Sequence, residues 1–243
     1  LNLIVFFIGF SLQPICTNIK LNKNIFRYSM DFTSFLCLLT KLKENQLDGR
    51  VAHSLLAPPN RTEQFRSIPT TKLKPKKAAV MLLFYPNAAG EVSFVLTRRK
   101  KYKGAHSGQI SFPGGKPEFS DDDLWKTSLR ETNEELGIAS DQVKYLRPLT
   151  KLYVPPSNFL IFPYVGYLEN PCFFSPDPYE VDAILEISLK SLINNKPKVI
   201  KLPPSSLTSI EVPAYIFDQN EVWGATAMIL SEFKMLFTSV LSK

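Results

Sequence analysis

The chain has 243 residues, 44% aliphatic or aromatic and 21% charged, so it can bury one sizeable core and is not a disordered or low-complexity chain. Lys and Arg number 29 against 22 Asp and Glu, a net charge of +7, which fits an anionic ligand, a nucleic acid or a membrane surface without choosing among them. The cysteines Cys16, Cys37 and Cys172 form no C-x-x-C pair and argue against a disulfide framework, and His53 and His106 are too few for a multi-histidine metal centre, so any metal chemistry rests on carboxylates.

Leu3 to Phe10 is apolar but far shorter than the ~18 residues of a membrane span. Residues 1–29 read as an upstream extension, or as a truncated signal peptide, with Met30 as a start. Phe32 to Leu42 has the pattern of a short amphipathic helix. Residues 58–77, rich in Pro, Asn, Arg, Thr and Lys and ending in the basic run Lys72 to Lys77, have the composition of a solvated linker. Ala78 to Phe84 is continuously apolar, as a buried strand is, and Val92 to Thr97 is its hairpin partner across Pro86, Asn87 and Gly90. Ile161 to Leu168 and Ala183 to Ile187 are further strands, and Pro163 predicts an edge or a bulge in the first. Ala225 to Leu241 repeats apolar residues at helical spacing. Strands before and after one strong helix, with a terminal helix, predict an α/β layered domain.

The strong helix is Leu124 to Leu136. Asp121, Asp122 and Asp123 offer N-caps, and Gly137 falls where a left-handed C-cap does. At ~100° per residue Trp125, Leu129, Thr132 and Leu136 form a buried stripe. Glu131 and Glu135 lie about 40° apart beside that stripe, and Glu134 lies about 60° from Glu131 on the outer flank. Like charges four apart destabilise a helix. Three acids on one strip therefore read either as a solvated acidic face or as a site for a hard divalent cation, which takes oxygen ligands and shares phosphate oxygens with a substrate.

Arg130-Glu131-Thr132-Asn133-Glu134-Glu135-Leu136-Gly137-Ile138 resembles the second half of the Nudix box, G-x5-E-x7-R-E-U-x-E-E-x-G-U with U aliphatic, Thr132 taking the first U. In the first half Gly115 is followed six positions later by Asp121 instead of Glu, and Arg130 comes nine positions after that instead of eight. The chain also carries Val95-Leu96-Thr97-Arg98-Arg99-Lys100, then Gly104, then Gly108-Gln109-Ile110-Ser111-Phe112-Pro113-Gly114-Gly115. This resembles the coenzyme A diphosphatase branch of the family, whose signature is similar to L-L-T-x-R-[SA]-x3-R-x3-G-x3-F-P-G-G. Val95, Lys100 and Gly104 replace the first Leu, the Ser or Ala, and the second Arg. Glu180-Val181-Asp182 resembles the branch's E-V-D segment, and Val222-Trp223-Gly224-Ala225-Thr226-Ala227 resembles its I-W-G-x-T-A helix start.

The resemblance implies an α/β (α+β) Nudix fold, a mixed β-sheet sandwiched between helices, over residues 77–243, with an N-terminal helix and basic linker over 30–76. It implies an enzyme dependent on Mg²⁺ or Mn²⁺ that hydrolyses the diphosphate of coenzyme A or acyl-CoA to 3′,5′-ADP and 4′-phosphopantetheine or its acyl form. The alternatives are a Nudix hydrolase of NADH, ADP-ribose or a capped RNA end, and a catalytically inactive Nudix binding domain. Glu131, Glu135, Glu134 and the Gly114 carbonyl are the implied metal ligands. Arg130 is expected to pair with Asp121 or a neighbouring carboxylate and orient it. The general base comes from Glu134 in the box, or from Glu180 or Asp182 outside it. Arg99, Arg98, His106 and Gly115 are the substrate-side candidates; for the basic run Arg98 to Lys103, a solvated loop and recognition of the 3′-phosphorylated ADP end are both open. A small-molecule substrate is expected, and neither a nucleic acid nor a membrane. Ser242-Lys243 is an incomplete peroxisomal address, with coincidence the favoured reading; peroxisome, mitochondrion and cytosol stay open.

Overall fold

The computed structural model of the protein describes residues 30–46, 48–59, 74–100, 108–202 and 210–242. The first element, α1 (Phe32–Glu44), is capped by Asp31, whose carboxylate accepts the Ser34 N–H at 2.9 Å. A short helix, α2 (Gly49–Leu55), follows. Then come β1 (Lys76–Pro86), β2 (Val92–Arg99), the two-residue strands β3 (Ile110–Ser111) and β4 (Gly114–Gly115), α3 (Leu124–Leu136), β5 (Lys144–Pro148), β6 (Leu152–Val154), β7 (Phe159–Tyr167) and β8 (Val181–Ser188). The chain closes with α4 (Leu189–Asn194), β9 (Lys198–Leu202), β10 (Ile210–Phe217), β11 (Asn220–Trp223) and α5 (Gly224–Leu241).

The main sheet runs β3-β2-β1-β7-β5, with β8 on β2, β4 on β1 and β6 on β7. It is mixed, because β1 and β7 are parallel while the other pairs are antiparallel. Strand alternation sends Leu82, Phe84, Phe94 and Leu96 into one core, shared with Phe35 of α1 and with Phe233 and Phe237 of α5. Met81, Leu83, Tyr85 and Val95 enter the core on the opposite face, under Leu129 and Leu136 of α3. The continuous apolar run of β1 follows from this, since helices cover both of its faces. The expected sheet between helices is the observed architecture. A second, three-stranded sheet, β11-β10-β9, packs against α5.

α5 is long and apolar enough to cross a membrane by length and composition, yet 67% of it is buried inside the structure. Its apolarity is that of a central core helix. Phe35 is fully buried 5.2 Å from the Phe84 ring and 6.2 Å from the Phe237 ring, so α1 is part of the main core. Cys172 carries a free thiol; Cys37 is disulfide-bonded, which the sequence reading did not expect.

Pro163 does not mark an edge strand. β7 lies inside the sheet, with β1 on one side and β5 and β6 on the other. The Pro163 carbonyl accepts the Leu149 N–H at 2.9 Å, so its backbone polar groups point to the β5/β6 side. There it falls between the β6 pairing, which ends at Ile161, and the β5 pairing, which begins at Tyr164. The missing N–H thus meets a break in the ladder and costs no hydrogen bond.

Candidate active site

The hairpin β1–β2 is paired only near its turn, from Phe84 opposite Phe94 to Pro86 opposite Val92. Farther from the turn the strands part and the segment 110–115 enters between them. Ser111 pairs Thr97 of β2, Gly114 pairs Val80 of β1, and the Met81 N–H donates to the Pro113 carbonyl at 3.0 Å. The two glycines are fixed by close approach. Gly114 has φ +153, and a Cβ there would stand 2.3 Å from the Ala79 carbonyl oxygen. A Cβ on Gly115 would stand 2.3 Å from Oε1 of Glu131. The wedge therefore brings bare backbone against the acidic face of α3.

α3 starts and stops where its sequence predicts. Asp123 caps it, accepting the Lys126 N–H at 2.8 Å, and Gly137 ends it in the left-handed conformation, φ 72. Arg130 gathers the flank. Its Nε and Nη2 donate to the two oxygens of Asp121 at 3.1 and 3.0 Å, the bidentate pairing that a guanidinium fork favours. It also donates to the Lys116 carbonyl at 2.8 Å, to Glu134 at 2.9 Å and to Glu131 at 3.2 Å. The expected Arg130–Asp121 pair is formed, and the Arg130 guanidinium holds the Asp121 carboxyl down at about 2. Thr127 Oγ1 and the Glu118 N–H complete the cradle of Asp121 at 2.9 and 2.8 Å. This closed set explains why one extra residue between Asp121 and Arg130 is tolerated: the loop places the acid, and the helix register places the arginine.

Glu135 lies deeper than its helical angle suggests, with only 3% of its surface exposed. Thr97 Oγ1 donates to its Oε2 at 3.3 Å, and Arg99 Nη1 stands 3.8 Å from its Oε1. Burial pushes its carboxyl up to about 7; Arg99 opposes the shift, while the charges of Glu131 and Glu180 add to it. Glu131 is raised by burial as well, against Arg130, with Glu134 and Glu180 again adding. Glu180, exposed in the turn before β8, thus acts on both from a distance. Glu134 stays on the outer side, half exposed against Arg130. Asp182 is exposed at the irregular step in the β2–β8 pairing. Among the described residues, no three His, Cys, Asp or Glu side chains close on a single point.

The two adjacent arginines part company. Arg99 shares the α3 face with Thr97 and reaches Glu135. Arg98 projects to the other face, where its Nη2 donates to Asn220 Oδ1 of β11. Strand alternation alone separates them. His106 lies outside the described residues. Sequence reasoning assigned no task to Thr97, although it sits in the quoted signature; its alternation with Val95 and Arg99 was the available signal. The insertion of Gly114 and Gly115 between β1 and β2 had no signal in the local sequence.

A layered sheet whose central hairpin is opened by a glycine wedge, with a carboxylate-bearing helix laid over the wedge, defines a fold class, and comparison with known proteins agrees with it. The NUDIX domain family matches residues 74–185. The chain is 37% identical over 141 residues to the uncharacterized Nudix hydrolase NudL of Yersinia enterocolitica, covering 58% of this chain and 71% of that protein. It is 29% identical over 167 residues to the mitochondrial coenzyme A diphosphatase NUDT8 of Homo sapiens, covering 68% and 70%. It is 29% identical over 175 residues to the chloroplastic Nudix hydrolase 22 of Arabidopsis thaliana, covering 68% of this chain and 56% of that one. The chain spans less than three fifths of the length of several such relatives. Among solved structures, a MutT/nudix family protein from Enterococcus faecalis superposes with a TM-score of 0.47 at 16% identity, covering 82% and 76%. The chain belongs to the Nudix hydrolase family.

Proposed function

We propose that the chain is a divalent-metal-dependent hydrolase of the diphosphate bond in coenzyme A or acyl-CoA, releasing 3′,5′-ADP and 4′-phosphopantetheine or its acyl form. The observation that carries this reading is the pair of desolvated carboxylates, Glu131 and Glu135, on one strip of α3 beside the bare backbone of Gly114 and Gly115. Buried like charges are costly unless something cationic meets them, and an all-oxygen donor set suits a hard cation. Glu131, Glu135 and the Gly114 carbonyl would hold Mg²⁺ or Mn²⁺, while Glu134, the further ligand expected from the sequence, is turned to Arg130. Bound there, the metal would neutralise phosphoryl oxygens and lower the pKa of a coordinated water.

The protein's own groups do the rest. Arg130, locked to Asp121, holds Glu131 and Glu134 in register. Arg99, on the catalytic face, receives the phosphate end of the substrate; Arg98 does not reach it and instead ties β2 to the small sheet. Glu180, exposed in the turn before β8 and felt electrostatically by Glu131 and Glu135, is the proposed general base over Glu134, which Arg130 holds outward. The similarity to a human coenzyme A diphosphatase, 29% identical, is what suggests this substrate class. That relative and one from Arabidopsis are mitochondrial by name, which supports a mitochondrial site of action.

The test is product analysis of the full chain with coenzyme A, acetyl-CoA, NADH, ADP-ribose and capped RNA, each with Mg²⁺ or Mn²⁺. Release of 3′,5′-ADP from coenzyme A, lost on metal removal and cut about 10³-fold in Glu135→Gln, is the expected result. Preferential turnover of another substrate would overturn the coenzyme A assignment and keep the hydrolase. No turnover by folded protein would overturn both.

A further inference from the structure

One hydroxyl at the wedge is unused by this account. Ser111 on β3 is paired with Thr97 on β2, and residues paired across antiparallel strands project to the same face. Thr97 on that face reaches Glu135, whereas the preceding residue, Ile110, packs against the opposite core. The Ser111 side chain is therefore on the face that holds Thr97, Arg99 and Glu135. Among the described residues, its Oγ is the buried side-chain polar atom that has no hydrogen-bond partner. Folded proteins leave few such groups orphaned, and each calls for a cause, a functional role or an ion among them. Its backbone is already engaged, since Thr97 Oγ1 approaches the Ser111 carbonyl at 3.4 Å. The position is also one that the quoted signature leaves open.

We propose that Ser111 positions the diphosphate, its hydroxyl donating to a phosphoryl oxygen lodged between Arg99 and the Glu131–Glu135 pair. The inference rests on the function proposed above. The chemistry favours an acceptor that the protein does not itself supply. The Glu135 oxygens already face Thr97 and Arg99, and Arg99 can only donate. A phosphoryl oxygen accepts from both Ser111 and Arg99, and it brings to the carboxylates the oxygens that a shared divalent cation needs.

The experiment measures binding separately from turnover. Full-length wild type, Ser111→Ala and Ser111→Thr would be titrated calorimetrically with inorganic pyrophosphate in Mg²⁺, titrated with Mn²⁺ alone by electron paramagnetic resonance, and melted without metal. Ser111→Ala is expected to weaken pyrophosphate about tenfold while leaving Mn²⁺ affinity within about twofold, the loss of one donor to a charged oxygen. Its metal-free melting temperature should not fall, because an orphaned group has been removed, and Ser111→Thr should restore binding. Unchanged pyrophosphate affinity in Ser111→Ala overturns the proposal, as does a wild type that does not bind pyrophosphate. An equal loss of Mn²⁺ affinity would move the hydroxyl to the metal, and a lower metal-free melting temperature would make it structural; either overturns it. A wild type that binds pyrophosphate yet hydrolyses no nucleotide substrate would overturn the enzymatic reading alone, since the binding comparison still decides Ser111.

Discussion

Two buried glutamates, one on each side of the sheet, have opposite surroundings. Glu232 of α5 is 4% exposed and fully met. Its Oε2 lies 2.8 Å from His53 Nε2, and its Oε1 accepts the Thr150 N–H and hydroxyl at 2.9 and 2.8 Å. The backbone packs down to meet it, since a Cβ on Gly49 would fall 2.4 Å from its carboxyl carbon. Glu135 of α3 is buried as deeply, but it has one long hydrogen bond, one arginine at 3.8 Å and two acidic neighbours acting on it. Burial of a carboxylate is thus no mark of function by itself. Glu232 ties α2 and the segment after β5 to α5, a completed network. Glu135 is left short of partners at a wedge of bare backbone, and what it lacks is what a cation and a substrate bring.

The largest effect should come from breaking the completed network. Glu232→Ala leaves His53 and the Thr150 N–H without their acceptor and should destabilise the protein by about 3–5 kcal/mol in urea unfolding. The kcat of the protein that remains folded should be unchanged. A comparable fall in kcat at full folding would tie Glu232 to the chemistry and dissolve the contrast.

Glu135→Gln should do the reverse in metal-free protein. The raised Glu135 carboxyl keeps its proton in the folded chain while the unfolded chain gives it up. Wild-type stability therefore falls as pH rises from about 4.5 to about 7, and the penalty is complete above that. The glutamine variant escapes it and should gain on the order of 3 kcal/mol over wild type at pH 8, with almost no gain at pH 4. Paired denaturation curves at the two pH values check this, and equal differences at both would sink it. Arg130→Lys probes the flank. A lysine keeps the charge but loses the fork on Asp121, so turnover should drop about 10–100-fold with the fold retained, as for other groups that orient a metal ligand. Steady-state kinetics indistinguishable from wild type would show that the Asp121 pairing does not serve the site.

Local features were read correctly because local chemistry decides them. The ends of α3 follow from Asp123 and Gly137, the double burial of β1 from its unbroken apolar run, and the Arg130–Asp121 pair from side chains that a loop and one helical turn bring together. Reading failed where a second element intervenes. Pro163 signals an edge or a bulge, and of these the edge is not what the structure shows, because the missing N–H falls where β5 and β6 leave a gap in the ladder. Adjacent Arg98 and Arg99 look equivalent as a basic run, but strand alternation sends one to Asn220 and the other to Glu135. Between Ile187 and Ala225 no element was assigned from sequence, and Tyr215, Phe217 and Val222 of β10 and β11 are buried only where α5 covers them.

The family, the acidic strip on α3 and the presence of the glycine pair are legible in residue identity and fixed spacing. How those parts meet is settled by packing. It opened β1 from β2 to admit the glycines, sank Glu135 to 3% exposure and left Ser111 without a partner. Burial and like-charge proximity arise between segments distant in the chain. A carboxylate's need for a cation is therefore set by what packs around it and not by its neighbours in sequence.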